Sequence, residues 1–453
     1  MVKMTAGEIA QLAEGDLSGV FKTDGIIEAV IIDSRQVKNH SLFVAIRGDT
    51  NDGHNYVEQV VAKAGNYALV NNDFPLDLPN LIRVNDTTLA LGTLAANYRK
   101  KFNLPIAAIT GSNGKTTVKE MLKCICDREF GKEHVLATSG NLNNHLGLPL
   151  TILQLSEKHK VAILEMGMNH SGELDYLSKA GKPTVAAINN VMFAHAGHFN
   201  SIEDIARAKG EIYHGITSDG TACLDLSSEY MRMWQGEDIQ CNIFPYGTKE
   251  TNCYLRDIED GVGYYITPLG EIEVSLRILG QHNYYNGLTA IALAINLGCS
   301  LKSIKTGLES YSGYKGRLEL KNAFNGALII DDTYNANPDS VKAALNAIQG
   351  LPRPYWFIFA DLKELGIHEL SFHQEIGEYA DASNIDMLLT VGDLAAHAAK
   401  FYKRDKIHFA TNQDIVKYCL TNLPKNATLL IKGSNSMRLG EIAEELSLGK
   451  KIL

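Results

Sequence analysis

Short apolar runs bounded by polar turns recur along the whole chain, and their spacing divides it into three parts. Up to about residue 84, β-like pieces at Ala29–Ile32, Leu42–Ile46, Tyr67–Val70 and Leu81–Val84 surround one predicted helix, Val57–Ala64. This reads as a small α/β module. From Asp86 a helical pattern runs to about Lys101, and Pro105–Thr110 then reads as a buried strand. Further strand-length runs follow at Val161–Glu165 and Val185–Asn189, with helix-length segments between them. Strands alternating with helices predict a parallel sheet. Thr221–Val274 differs: its aromatics, glycines and alternation (Gly263-Tyr-Tyr-Ile-Thr, Glu271-Ile-Glu-Val-Ser-Leu) predict antiparallel strands. After Gly316 the rhythm is regular. Apolar runs at 327–330, 356–360, 387–391, 407–410 and 428–431 alternate with helical stretches, as in a doubly wound fold. The expectation is an α/β protein with units at 1–84, 85–314 and 315–453.

Composition supports several cores and narrows the class. The 453 residues are 45% hydrophobic and 21% charged, as in ordinary globular proteins. A net charge of -9 with no long basic run argues against nucleic acid as the main partner, which needs a clustered cationic face. Residues 1–17 carry Glu8, Glu14 and Asp16 and lack a signal-type apolar core. The longest strongly apolar run, Tyr355–Ala360, is far short of the ~20 residues that span a bilayer. Seven cysteines without a C-x-x-C pair read as free thiols of a reducing compartment, so a cytoplasmic protein is expected.

The sharpest motif is Ile109-Thr-Gly-Ser-Asn-Gly-Lys-Thr-Thr117, between a predicted strand and a predicted helix. Gly111 and Gly114 let backbone N–H groups approach phosphate oxygens, with Ser112 and Asn113 between them. The helix beginning near Lys115 aims its free N–H groups and positive dipole end at the same anion. Lys115 supplies a charge for the β- and γ-phosphates, and the hydroxyl of Thr116, followed by Thr117, can ligate Mg²⁺. The general G-x-x-x-x-G-K-[ST] pattern requires glycine at 109, where this chain has Ile109. An ordinary Gly-rich βα turn is the competing reading. The strand–loop–helix context and the Gly-Lys-Thr-Thr run speak against it.

Ligands of open α/β sheets gather at the carboxyl ends of strands. Glu165 ends the second strand and would be a hard oxygen ligand for Mg²⁺ if that strand neighbours the first. The third strand leads through Asn189-Asn190 to His195 and His198, which gives His195 a candidate metal or phosphate role. Lys209, in Ile205-Ala-Arg-Ala-Lys-Gly-Glu-Ile-Tyr213, reads from spacing alone as a solvated lysine on a helix.

Taken in order, these residues resemble the Mur ligase family. The matching set is Gly-Ser-Asn-Gly-Lys-Thr-Thr (111–117), Glu165-x-Gly, His195, Ala-Lys209, Gly280-Gln-His-Asn283-x-x-Asn286 and Gly316-Arg317. At the N-terminus, Asp33-Ser34-Arg35, Leu42-Phe43-Val-Ala-Ile46-x-Gly48 and Asp52-Gly53-His54 resemble the family's uridine-binding module. Gly140-Asn-Leu-Asn-Asn144-x-x-Gly147-x-Pro149, Asp331-Asp-Thr-Tyr-Asn-Ala-Asn-Pro338 and Lys432-Gly-Ser434 resemble the member type that adds D-alanyl-D-alanine. No Asp-Asn-Pro-Arg element, the mark of the type that adds a diamino acid, is present. The shortened phosphate loop is the family's own form, shared with folylpolyglutamate synthases.

The resemblance implies a three-domain ligase: a UDP-substrate module, a central P-loop ATPase-type sheet and a C-terminal Rossmann-like domain. It implies ATP, two Mg²⁺ ions, UDP-N-acetylmuramoyl-tripeptide and D-alanyl-D-alanine as cofactors and partners, and a monomer. Lys209 is then carbamylated and joins Thr116, Glu165 and His195 as a metal ligand, reversing the reading from spacing. Asn283 and Asn286 match adenine-side residues, Asp332 one near the ribose, and Arg317 one that reaches the γ-phosphate. Ser34, Asn141 and Asn144 are candidate contacts to the UDP-linked substrate. Other Mur-type or folylpolyglutamate-type ligases, a P-loop kinase and a non-catalytic phosphate-binding scaffold are the alternatives.

Overall fold

The computed structural model describes residues 3–18, 24–192, 199 and 201–448. In the N-terminal unit, strands Ala29–Ile31, Ser41–Val44, Tyr67–Asn71 and Leu81–Val84 run parallel, and Asp16–Ser18 joins the last antiparallel. A second helix there, Ala6–Leu12, escapes the periodicity because seven residues show barely two turns. Its signature is a capping box instead. The Thr5 hydroxyl accepts the Glu8 N–H at 3.2 Å, and Glu8 Oε2 accepts the Thr5 N–H at 2.8 Å.

The helix Thr87–Arg99 starts where Asp86 Oδ1 accepts the N–H groups of Thr88 and Leu89. It ties the first unit to the second. Thr87 Oγ1 donates to the Ala45 carbonyl at 2.7 Å, and Tyr98 Oη donates to the Leu155 carbonyl at 2.8 Å. Leu91, Leu94 and Tyr98 belong to one apolar cluster that runs from Ile9 and Leu69 to Leu148 and Leu177.

The central sheet has six parallel strands, in the order Asn242–Tyr246, Thr221–Asp225, Val185–Ile188, Ile106–Thr110, Val161–Glu165, Val135–Ala137. Helices cover both faces, so Ile106–Thr110 is buried at every residue, as a central parallel strand requires. The antiparallel expectation for 221–274 holds only for its second half, the meander Tyr254–Glu259, Val262–Thr267, Gly270–Ser275. Thr221–Asp225 and Asn242–Tyr246 instead extend the parallel sheet, because helix Met231–Glu237 lies between them as a crossover.

The C-terminal unit holds a second six-stranded sheet, in the order Glu319–Asn322, Leu328–Asp332, Thr428–Lys432, Tyr355–Ala360, Met387–Val391, Asp405–Phe409. Only its first strand is antiparallel. Among the described residues no helix is long and apolar enough to cross a membrane.

Candidate active site

Strand Ile106–Thr110 lies between Val161–Glu165 and Val185–Ile188, with Glu165 in register with Ile109 and Ile188 with Thr110. Neighbouring strand ends therefore deliver Glu165 and Asn189-Asn190 to the two sides of the loop that follows Thr110. Gly114, the residue before helix Lys115–Phe130, has φ +76. A Cβ there would come within 2.5 Å of Asn286 Oδ1 and 2.7 Å of Asn189 Nδ2, so only glycine fits.

Uncharged amides hold the loop in shape. Asn190 Oδ1 accepts the Asn113 N–H at 2.8 Å, and its Nδ2 donates to the Asn113 carbonyl at 3.0 Å. Asn189 Nδ2 donates to that same carbonyl at 2.9 Å and to Asn286 Oδ1 at 2.8 Å. Asn286 Nδ2 donates in turn to Asn283 Oδ1 at 2.8 Å. Residues far apart in sequence thus form a collar around the backbone of Asn113.

Lys115 folds back over the loop, its Nζ donating to the carbonyls of Gly111 at 2.6 Å and Ser112 at 3.2 Å. Desolvation pulls the ammonium down to about 8; Glu165 opposes this and Arg317 adds to it. The Glu165 side chain is 2% exposed. Its Oε1 accepts Asn143 Nδ2 at 2.8 Å, while Oε2 is buried with no partner among the described residues. A buried carboxylate oxygen left open beside a phosphate loop, with the Thr116 hydroxyl, is the oxygen donor set that Mg²⁺ takes with substrate phosphates. The residues fit that ion.

Lys209 is also buried, at 2% exposure, because helix Ile202–Gly210 turns Ile205, Ala206, Ala208 and Lys209 inward. The solvated lysine expected from spacing is therefore a core residue. Desolvation, with repulsion from Lys115, holds its amine well below the usual lysine range. His195 and His198 lie outside the described residues.

The C-terminal unit closes the site from the other side. Arg317 Nη2 donates to Thr116 Oγ1 at 3.0 Å, and its guanidinium carbon lies 4.2 Å from the centre of the Tyr334 ring. Asn337 Nδ2 donates to Asn113 Oδ1 at 2.7 Å, joining the helix Pro338–Ala347 that Asn337 caps to the phosphate loop. Asp332 accepts the Leu318 N–H at 3.1 Å and Lys432 Nζ at 2.5 Å.

A cavity of ≈ 910 Å³ between the two six-stranded sheets gathers these groups. Ser112, Asn113, Gly114, Lys115, Thr117, Glu165, Asn283, Asn286, Arg317, Asp332, Asn141 and Asn144 line it. Thr116 is buried beneath the loop, and Gly111 turns its carbonyl to Lys115. Ser34 sits apart in the turn Ser34–Gln36 of the N-terminal unit. Sequence reasoning gives no role to Asn143, Asn189, Asn190, Asn337 or Lys432. Asn189-Asn190 at a strand end is a local signal, and Asn143, Asn337 and Lys432 fall within motifs quoted for the family resemblance.

Family models match three stretches of the chain: "Mur ligase family, catalytic domain" over 26–99, "Mur ligase middle domain" over 109–294 and "Mur ligase, glutamate ligase domain" over 316–435. The UDP-N-acetylmuramoyl-tripeptide–D-alanyl-D-alanine ligase of Haemophilus influenzae is 36% identical, covering 98% of this chain and 99% of its own. The enzyme of that name from Bacillus subtilis is 34% identical with the same coverage. A crystal structure of MurF from Acinetobacter baumannii superposes with a TM-score of 0.89 at 34% identity, covering 98% of this chain and 99% of that one.

Proposed function

Because the chain belongs to the Mur ligase family, we propose that it joins D-alanyl-D-alanine to UDP-N-acetylmuramoyl-tripeptide at the expense of ATP. The product is the UDP-linked pentapeptide precursor of peptidoglycan. The observation that carries this reading is the meeting of Lys115, Thr116 and Glu165 with Arg317 from the opposite unit in one cleft. Residues 1–84 receive the UDP end of the substrate, 85–314 hold ATP, and 315–453 close over both. The seven free cysteines support a cytoplasmic setting.

A peptide carboxylate is a poor electrophile and must first be activated. Its oxygen attacks the γ-phosphorus of ATP, the bond to the β-phosphate oxygen breaks, and ADP leaves an acyl phosphate behind. The dipeptide amine then attacks the acyl carbon, loses a proton, and the C–O bond to phosphate breaks. Catalysis of such a transfer is chiefly positioning and electrostatic stabilisation. Lys115 and the loop N–H groups bind the β- and γ-phosphates, Arg317 meets the γ-phosphate, and Asn283 and Asn286 border the base. Asp332 orients the ribose, and Asn141, Asn144 and Ser34 contact the UDP-linked substrate. Mg²⁺ on Thr116 and Glu165 would neutralise charge on the transferred phosphoryl group.

The neutral amine is the form that adds carbon dioxide, and the desolvation of Lys209 favours that form. Lys209 Nζ forms an N–C bond to it and loses a proton, giving a carbamate of charge −1. That oxygen pair, with His195, would hold a second Mg²⁺. Closure of the two sheets over the cleft excludes water from the acyl phosphate.

Purified protein should release phosphate from ATP only with both UDP-N-acetylmuramoyl-tripeptide and D-alanyl-D-alanine present, and product mass spectra should show the pentapeptide. Equal turnover with a folate and glutamate would sink this reading in favour of the related synthases. Trials with diaminopimelate- and lysine-containing tripeptides identify the accepted third residue.

A further inference from the structure

The chain passes from the central to the C-terminal unit through a turn, Tyr314-Lys-Gly-Arg317, that touches one helix at both ends. The Arg317 N–H donates to the Tyr314 carbonyl at 3.0 Å. Gly316, third in the turn, has the left-handed φ of +69 that a type II turn demands. The turn is fixed to the C-terminal unit by the Tyr334 N–H, which donates to the Gly316 carbonyl at 2.9 Å. On the other side, Arg317 reaches Thr116, and the Tyr314 ring centre lies 5.5 Å from Lys119 Nζ. Thr116 and Lys119 are three residues apart on helix Lys115–Phe130 and so share a face.

Lys119 is a fixed cation. Its side chain is wholly buried, with Nζ donating to the Thr138 carbonyl at 2.8 Å and paired with Glu120 Oε1 at 2.7 Å. From it runs a series of four groups: the Lys119 ammonium, the Tyr314 ring, the Tyr334 ring edge-on at 6.2 Å, and the Arg317 guanidinium. Each ring has a cation over it, the side on which the ring quadrupole attracts positive charge. Arg317 Nε is buried without a partner among the described residues, so Thr116 and the Tyr334 ring are what orient the guanidinium.

We propose that Tyr314 is a positioning residue for Arg317: bridging Lys119 to Tyr334, its ring sets where the guanidinium stands over the phosphate loop. This rests on the reading of Arg317 as the γ-phosphate contact. A reacting group misplaced by about 1 Å costs on the order of a hundredfold in rate, and a long side chain leaving a turn is prone to that error.

The test is a mutant cycle on the purified full chain, reading kcat for phosphate release, ADP Kd and Tm. Tyr314→Phe keeps the ring and should stay within about twofold of the parent. Tyr314→Leu should lower kcat about tenfold, with ADP Kd and Tm little changed. Arg317→Lys should be slow by itself, and adding Tyr314→Leu to it should cost less than about twofold more. Full additivity of the two substitutions would overturn the proposal, as would a Phe variant as slow as the Leu variant or a Leu variant at the parental rate. If Arg317→Lys alone works at the parental rate, the γ-phosphate role fails first and the proposal falls with it.

Discussion

The two six-stranded sheets are alike in size, nearly all parallel, and turn their carboxyl ends to the same cleft, yet they place opposite chemistry there. The central sheet ends in N–H donors, neutral amides and Lys115, a surface for anions. Its acid, Glu165, keeps one oxygen open among the described residues. The C-terminal sheet ends in Asp331-Asp332, with Asp332 occupied by Lys432 and the Leu318 N–H. One sheet is a preorganised receptor; the other is a closing face whose reaching groups, Arg317 and Asn337, stand on its connections. Architecture fixes where a site forms, and the residues after each strand decide what it does.

Three substitutions probe that contrast, the first at the receptor's heart. Lys115→Ala should abolish ATP binding by calorimetry and lower phosphate release about a thousandfold. Retained tight ATP binding would contradict the loop assignment. In the unsubstituted protein the same lysine predicts a pH effect. Its pKa of about 8 in the free protein rises when phosphates arrive, so ATP binding near pH 8.5 should take up a proton and binding at pH 7 almost none. Calorimetry in buffers of different ionisation enthalpy reads that uptake.

Lys209→Ala should cost about a hundredfold in turnover while ATP Kd barely moves, because the role proposed for this residue is in the chemistry and not in nucleotide grip. Short carboxylic acids in the buffer should restore part of the rate. A variant of near-normal activity would show that the lysine is only packed.

Asn113→Ala leaves the loop's backbone amides held by Asn190 and Asn189 but removes the contact to Asn337. A loss of roughly two- to tenfold in kcat is expected, with a more open average shape by small-angle scattering. If shape and rate are both unchanged, the closing face does not depend on this amide pair.

Legibility in the sequence follows how local each signal is. Leu81–Val84, Val161–Glu165 and Met387–Val391 are read to the residue, since buried parallel strands appear as near-continuous apolar runs. The phosphate loop is legible because all its parts are adjacent. The amide collar is not: Asn113 is held by residues 76 and 77 positions away, and no spacing rule links them. Lys209 misleads for a related reason. Lysine is an exposed residue by default, and only the packing of helix Ile202–Gly210 shows its amine enclosed. At 221–246 the aromatics of a strand and its crossover imitate an antiparallel pattern.

The collar bears on how long the protein lasts as well as on what it binds. Asn113-Gly114 is the dipeptide whose glycine nitrogen most readily attacks the asparagine side-chain amide, releasing ammonia to form a cyclic imide that water then opens to a carboxylate. That conversion would put a negative charge between the phosphates and Asn337, in the middle of the receptor. The attack needs the chain to swing freely at Asn113, and Asn190 and Asn189 grip that residue's own N–H and carbonyl. The grip that shapes the loop also slows its chemical ageing.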